Sequence, residues 1–345
     1  MKAAPVIRAL SACGRVQSLV HTGQHYDPTL SDIFFGQLGL PAPDVNLGVG
    51  SGSQAAQTAA LLVGLERTFM TTRPAVAVVY GDVNSTLAGA LAAAKLGIPV
   101  AHVEAGLRSF DRTMPEEINR LVTDLVADLC FATSPEAVTH LAREGVAPER
   151  IHFVGNPMID TLLAALPRLD IAAARRRFGL PERYAVATVH RPANVDAPGD
   201  AHRLVGVMAE LAAQVPTVLP LHPRGRASLE AAGLLAIDRL MVVEPLGYLE
   251  FMALVRGAAL VLTDSGGIQE ETTILGVPCL TIRPNTERPI TITQGTNRLV
   301  AAGDVPGAVR HILSGSYVRP PKPPPLWDGH AGERIARILD GYLAA

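Results

Sequence analysis

The stretch His102 to Glu117, HVEAGLRSFDRTMPEE, sets Glu104, Asp111, Glu116 and Glu117 between an apolar strand signal and a helix signal. Carboxylates so placed can move protons or hold a ligand, or they can form a solvated acidic face. Glu104 directly follows the apolar run IPVAHV, and a carboxylate at the mouth of a buried strand is placed for a ligand. Glu116 and Glu117 follow Pro115 in the first turn of a helix, where acids also complement the dipole.

Polar and titratable groups recur at the ends of the other apolar runs. LVHTGQHYD places Gln24 and His25 there, VVYGDVNST places Asp82, and ATVHRPANVD places His190 and Arg191. VLPLHPRGR adds His222 and Arg224, and LTIRPNTERP adds Arg283, Glu287 and Arg288. Ligands of open parallel sheets bind beyond the carboxyl ends of the strands, so two such sheets facing each other would define a cleft.

VLTDSGGIQEE is the sharpest of these segments. A strand ends in Thr263, Ser265 and two glycines, Gly266 and Gly267, let backbone approach a ligand, and a helix is expected from near Ile268. Unpaired N–H groups at a helix start suit phosphate, and Arg288 can add charge-assisted bonds. The same DSGG is also good chemistry for a plain strand-to-helix turn.

Other positions fit two readings. His25 and His222 suit a polar core or rim as well as a ligand, and His190 stands straight after an apolar strand. Asp82 can cap the helix that starts near Ser85, itself a cap residue, or face a substrate. GVGSGSQ has Ser53 where a GxGxxG fingerprint needs glycine. No HExxH or other ligand spacing points to a metal, and no Tyr-x-x-x-Lys pair points to a nicotinamide, so neither metal nor cofactor is expected.

These groups need a scaffold, and the alternation of elements supplies one. Apolar runs at 16–20, 75–80, 98–103, 129–133 and 151–155, then 184–189, 217–221, 240–244, 259–263 and 278–282, are separated by helical patterns such as STLAGALAAAKLG, closed by Gly97. Continuous apolar strands between helices imply parallel sheets covered on both faces, hence an α/β, doubly wound fold built twice. Charge and proline rise over LPRLDIAAARRRFGLPERY, so domains are expected over 1–168 and 169–325. VRPPKPPPLWDG is an extended connector, and 326–345 supplies a last amphipathic helix expected to cross back to the first domain. At the start, MKAAPVIRALSACG reads as a helix where a doubly wound domain would open with a strand.

The 345 residues are 48% hydrophobic and 18% charged, enough for large cores and two domains. A formal charge of -2 gives no electrostatic case for nucleic acid or an anionic membrane, and 4% aromatics argues against base stacking. No apolar stretch reaches membrane-spanning length and no leader is visible. Cys13, Cys130 and Cys279 lack CxxC spacing, as expected of thiols in a reducing cytoplasm.

HVEAGLRS…PEEINR, TVHRPANVD, TDSGGIQEE and TERP, in that order over nearly the whole chain, resemble the non-hydrolysing UDP-N-acetylglucosamine 2-epimerases. The resemblance implies two Rossmann-like domains facing across a cleft, the GT-B or glycogen-phosphorylase-like architecture, and a cytoplasmic homodimer. It implies interconversion of UDP-GlcNAc and UDP-ManNAc through elimination of UDP to 2-acetamidoglucal and re-addition, supplying ManNAc for surface polysaccharides.

Carried over by motif, Asp82, Glu104, Glu116 and His190 would be the catalytic groups, with His190 beside the diphosphate. Ser265, Gly266, Gly267 and Arg288 would hold phosphate, and Glu271 the ribose. Leu246 and Phe251 of PLGYLEF would line the uracil pocket, while Lys2, Gln24 and His25 complete the substrate contacts. Against the family pattern, a first strand and a Gly-Thr-Arg-Pro-Glu loop are expected to be missing before Lys2, with reduced turnover. LHPRGR departs from a His-x-Asn-Pro context tied to allosteric activation. The alternatives are a hydrolysing epimerase releasing ManNAc and UDP, or a catalytically impaired UDP-sugar binder.

Overall fold

The computed structural model describes residues 1–24, 35–189, 191, 198–221, 225–318, 320 and 322–344. It divides into unit 1, Met1–Ala164 with Pro325–Ala345, and unit 2, Ala165–Pro324.

Unit 1 opens on α1 (Ala3–Ala12), which buries Val6 and Leu10. The first ladder is the parallel pair β1 (Val20–His21) and β2 (Val45–Asn46). The apolar run from Val16 is therefore a strand only at its end. Val16 is fully exposed, and Leu19 is tied to Asp44, whose carboxylate accepts the Leu19 N–H at 2.7 Å. Next come α2 (Gln54–Thr72), β3 (Ala77–Tyr80), α3 (Asn84–Lys95), β4 (Val100–Ala105), α4 (Pro115–Val126), β5 (Leu129–Ala132), α5 (Pro135–Arg143), β6 (Ile151–Phe153) and α6 (Pro157–Ala165). Strands β3-β4-β5-β6 form a parallel sheet in that order.

Both faces of this sheet are covered, so β4 and β5 are buried along their whole length. Val100 packs on one face, Ala101 and Val103 on the other. Ala105 would join Val103 if strict alternation held, but it packs with Val100. The register shifts between Val103 and Ala105, and Glu104 sits in that irregularity with φ 78°. A bulge flips the faces beyond it and re-aims the side chain it carries.

Helix α4 is turned inside out. Glu117, Asn119, Arg120, Thr123 and Asp124 are its buried residues, while Ile118 and Leu125 are exposed and Leu121 and Val122 only half-buried. Its polar face points at the ends of β3 and β4, where loop peptides need partners.

Unit 2 contains α7 (Ile171–Arg177), β7 (Ala185–Thr188), α8 (Pro198–Gln214), β8 (Thr217–Pro220), β9 (Leu240–Val243), α9 (Tyr248–Gly257), β10 (Leu260–Thr263), α10 (Gly266–Leu275), β11 (Cys279–Thr281), β12 (Asn297–Leu299) and α11 (Val305–Leu313). All six strands are parallel in the order β12-β11-β10-β7-β8-β9, which reverses direction at the β7–β10 pair. That reversal is where open α/β sheets form their ligand crevice.

The chain then returns to unit 1. Trp327 is buried and donates to Thr133 O at 2.9 Å, and α12 (Ala331–Ala344) packs Ile335, Ala336 and Leu339 with Val6 and Leu10 of α1. Asp160 caps α12, accepting from Ala331 N at 3.1 Å and Gly332 N at 2.7 Å.

Two local expectations are corrected. Ser85 is not a helix cap: α3 begins at Asn84, and the Ser85 N–H and hydroxyl both donate to Gln24 Oε1, at 3.0 and 2.7 Å. The helix after β10 starts at Gly266, not near Ile268, so both glycines belong to its first turn.

Candidate active site

In unit 1 the ends of β3 and β4 bring three expected residues together. Glu104 is buried at 3% exposure and ion-paired with Lys2 Nζ. Gly81 lies against this pair: a Cβ there would stand 2.9 Å from Lys2 Nζ and 3.3 Å from Glu104 Oε2, and its φ of 71° also favours glycine. Asp82 follows immediately. Its Oδ2 accepts from Arg120 at 2.6 Å (Nη2) and 3.1 Å (Nε), and Asn119 Nδ2 holds its carbonyl at 2.9 Å. Both carboxylates thus have cationic partners.

The two acids after Pro115 separate. Glu117 is buried and clamps the preceding loop, accepting from Ser109 N, Phe110 N and Arg120 Nη1 at 3.0, 2.8 and 2.6 Å. Glu116 is half-buried in the first turn of α4 and has no ion pair among the described residues. Gln24 is spent on Ser85, at the start of α3. His25, His190, His222 and Arg224 lie outside the described residues.

Unit 2 gathers its charged groups at the β7–β10 switch. Asp264, fully buried, accepts from the Arg191 N–H at 2.9 Å, and its carbonyl accepts from Arg191 Nε at 3.1 Å. Ser265 precedes α10 without capping it, its own N–H donating to Thr263 Oγ1 at 2.9 Å. Arg288 is packed onto the first turn of α10: a Cβ on Gly266 would fall 2.4 Å from Arg288 Nη1. Glu287 collects the arginines, with Arg288 Nη1 at 2.5 Å, Arg283 Nη2 at 2.7 Å and Arg191 Nη2 at 3.6 Å, while Glu270 takes Arg288 Nε at 3.1 Å. The start of α10 thus has Arg288 against it, with Arg283 and Arg191 gathered through Glu287.

Leu246 precedes α9 and Phe251 lies in its first turn, both half-buried. Tyr248 of the same turn donates to Glu271 Oε1 at 3.0 Å. Burial pushes the Glu271 carboxyl up to about 8; the Tyr248 bond opposes the rise and neighbouring Glu270 adds to it. Sequence reasoning did not find Arg120, His102, Asp124 or Tyr248, although all but Asp124 lie in the segments it quoted. No short-range pattern shows which polar groups on a helix will turn inward.

Among the described residues no cluster of His, Cys, Asp and Glu could hold a metal ion, and no helix is long and apolar enough to cross a membrane.

Residues 9–340 match the family described as UDP-N-acetylglucosamine 2-epimerase. The chain belongs to this family. The 2-epimerase of Methanocaldococcus jannaschii is 41% identical over 98% of this chain and 95% of its own. Its crystal structure with UDP-GlcNAc and UDP superposes with a TM-score of 0.90, over 99% of this chain and 96% of that one. The epimerase of Neisseria meningitidis, solved with UDP-GlcNAc, reaches the same TM-score of 0.90 at 28% identity, over 99% of this chain and 96% of that one. A Pseudomonas aeruginosa relative, UDP-2,3-diacetamido-2,3-dideoxy-D-glucuronate 2-epimerase, is 44% identical over 82% of this chain and 80% of its own. The α/β fold with parallel sheets is that of GT-B-type epimerases.

Proposed function

We propose that this epimerase interconverts UDP-GlcNAc and UDP-ManNAc without hydrolysis. The observation that carries the reading is the pairing of Glu104 with Lys2 and of Asp82 with Arg120 at adjoining strand ends. Epimerisation at C2 needs proton transfer on both faces of that carbon, and two carboxylates held by separate cationic partners supply two positioned groups. The proton on C2 is not next to a carbonyl, so the C1–O bond to UDP breaks as it leaves. The bonding pair goes to UDP, the proton to an enzyme base, and a C1=C2 double bond forms in 2-acetamidoglucal. UDP then re-adds at C1 while C2 is protonated from the opposite face. Asp82, Glu104 and Glu116 serve proton transfer, with His190 beside the diphosphate. The first turn of α10 with Arg288 holds the departing diphosphate, supported by its arginine-lined geometry. Glu271 takes the ribose, Leu246 and Phe251 the uracil, and Lys2, Gln24 and His25 the remaining contacts.

Turnover of UDP-GlcNAc in D2O, followed by NMR, tests this. Deuterium at C2 and an equilibrium mixture of the two UDP-sugars are expected. Free ManNAc would mean hydrolysis instead, and undeuterated substrate would mean a binding protein. A second reading has its own support: the 44% identity to the diacetamido-glucuronate epimerase places a 3-acetamido uronic acid among the substrates to assay in parallel.

The working form in this proposal is a cytoplasmic homodimer. The outward apolar stripe Ile118, Leu121, Val122 and Leu125 supports a second copy on α4. Light scattering of wild type against Ile118→Glu/Leu125→Glu distinguishes dimer from monomer.

A further inference from the structure

Beneath Asp82 and Glu104 lies a buried polar group that the proposed reaction does not use. His102, on β4, and Asp124, on α4, are 0% and 1% exposed, and His102 Nδ1 is 2.6 Å from Asp124 Oδ1. The other ring nitrogen, Nε2, is 2.8 Å from the carbonyl of Gly81, the residue before Asp82. A carbonyl can only accept, so Nε2 carries a proton. The second oxygen of Asp124 accepts from the Gly106 N–H at 3.0 Å, two residues beyond Glu104, and meets Arg108 Nη2 at 2.7 Å. Burial works against the Asp124 charge, but His102 and Arg108 outweigh it and hold its pKa below the usual carboxylate range.

One carboxylate therefore grips two loops. Through His102 it fixes the peptide leading into Asp82; directly, it fixes the Ala105–Gly106 peptide just beyond Glu104. Glu104 also has φ 78°, a left-handed backbone state that a non-glycine residue keeps only where its surroundings impose it. A buried ionic group of this kind adds little stability over well-packed apolar residues of the same volume, so its geometry is the better reason for it.

We propose that the His102–Asp124 pair is a positioning device that sets Asp82 and Glu104 in register with each other for the two proton transfers. This rests on the epimerase reading above. The pair does not touch the substrate. It fixes the spacing of the groups that do, and a misplacement near 1 Å costs about 100-fold in rate.

The experiment compares wild type, Asp124→Asn and His102→Gln in D2O with UDP-GlcNAc. It records kcat, KM, C2 deuterium, and the 2-acetamidoglucal and UDP released before re-addition. Thermal melts establish the folded fraction. With the pair broken, kcat is expected to fall about 100-fold per folded molecule while KM stays within about threefold, and the share of turnovers leaking free glucal rises. Leakage is the readout that a merely structural role would not move, because it reports the second proton transfer failing after the first has succeeded. A fully folded variant with near-wild-type kcat and leakage overturns the proposal. So does activity that falls only in step with the folded fraction, or failure of both variants to fold. Wild type that places no deuterium at C2 overturns the epimerase reading itself, and this inference with it.

Discussion

Arg120 Nη2 donates to Asp82 Oδ2 at 2.6 Å, from a guanidinium only 1% exposed whose other arm holds Glu117. Replacing Arg120 by Met would leave both Glu117 and Asp82 without their cation, a loss of about 3 kcal/mol. Adding Asp82→Asn should recover part of that stability but none of the activity. Urea unfolding of the single and double variants, run beside the C2 exchange assay, gives both numbers.

Glu271 predicts a pH dependence. Its folded carboxyl titrates at about 8, far above the ordinary value of 4.5, because burial favours the neutral form. The folded state thus binds more protons than the unfolded chain between those values. Its contribution is complete below 4.5 and is lost as pH rises to about 8. The ligand-free enzyme should melt at a lower temperature as pH rises through that window, and Glu271→Gln should flatten the decline. If UDP binds with Glu271 ionised against the ribose, titration calorimetry at pH 7 in buffers of different ionisation enthalpy will show proton release.

At the turn into α10, an added methyl group would require the Arg288 guanidinium to move. A Cβ on Gly266 would stand 2.4 Å from Arg288 Nη1 and 3.0 Å from Glu287 Oε1. Gly266→Ala should displace the guanidinium and forfeit a charge-assisted bond of about 1.5–3 kcal/mol, weakening UDP at least about tenfold. Equilibrium binding of UDP measures this without requiring turnover.

Trp327 is the one tryptophan of the chain, and it is buried in unit 1. Its fluorescence should therefore report unit 1, with a red shift on unfolding. Trp327→Phe keeps most of the packing and loses the bond to Thr133, about 1 kcal/mol, whereas Trp327→Ala should cost about 3–5 kcal/mol. Chemical denaturation followed by circular dichroism checks the order.

Strand ends were readable in the sequence because apolar runs stop where titratable residues begin, and Asp82, Glu104 and Asp264 all stand at such ends. Boundaries were less legible. Val16 looks like a strand residue but lies outside the short β1 ladder, and Ser85 looks like a cap but bonds to a glutamine distant in sequence. Helix α4 resisted reading for a physical reason. Apolar periodicity alone would turn Ile118, Leu121, Val122 and Leu125 toward the core, yet the unpaired peptides at the ends of β3 and β4 draw Glu117, Arg120 and Asp124 inward instead. The bulge at Glu104 is likewise invisible locally, since its left-handed backbone is imposed by contacts far along the chain.

The packing of α12 against α1 joins the two ends of the chain within unit 1, so in sequence unit 2 is inserted between its parts. During synthesis α1 lacks part of its cover until Ile335 and Leu339 have left the ribosome, while the intervening unit already has its whole sequence and can fold. The part translated second is thus free to finish first, and a ribosome stalled within the last helix would leave unit 1 as the one needing protection from aggregation.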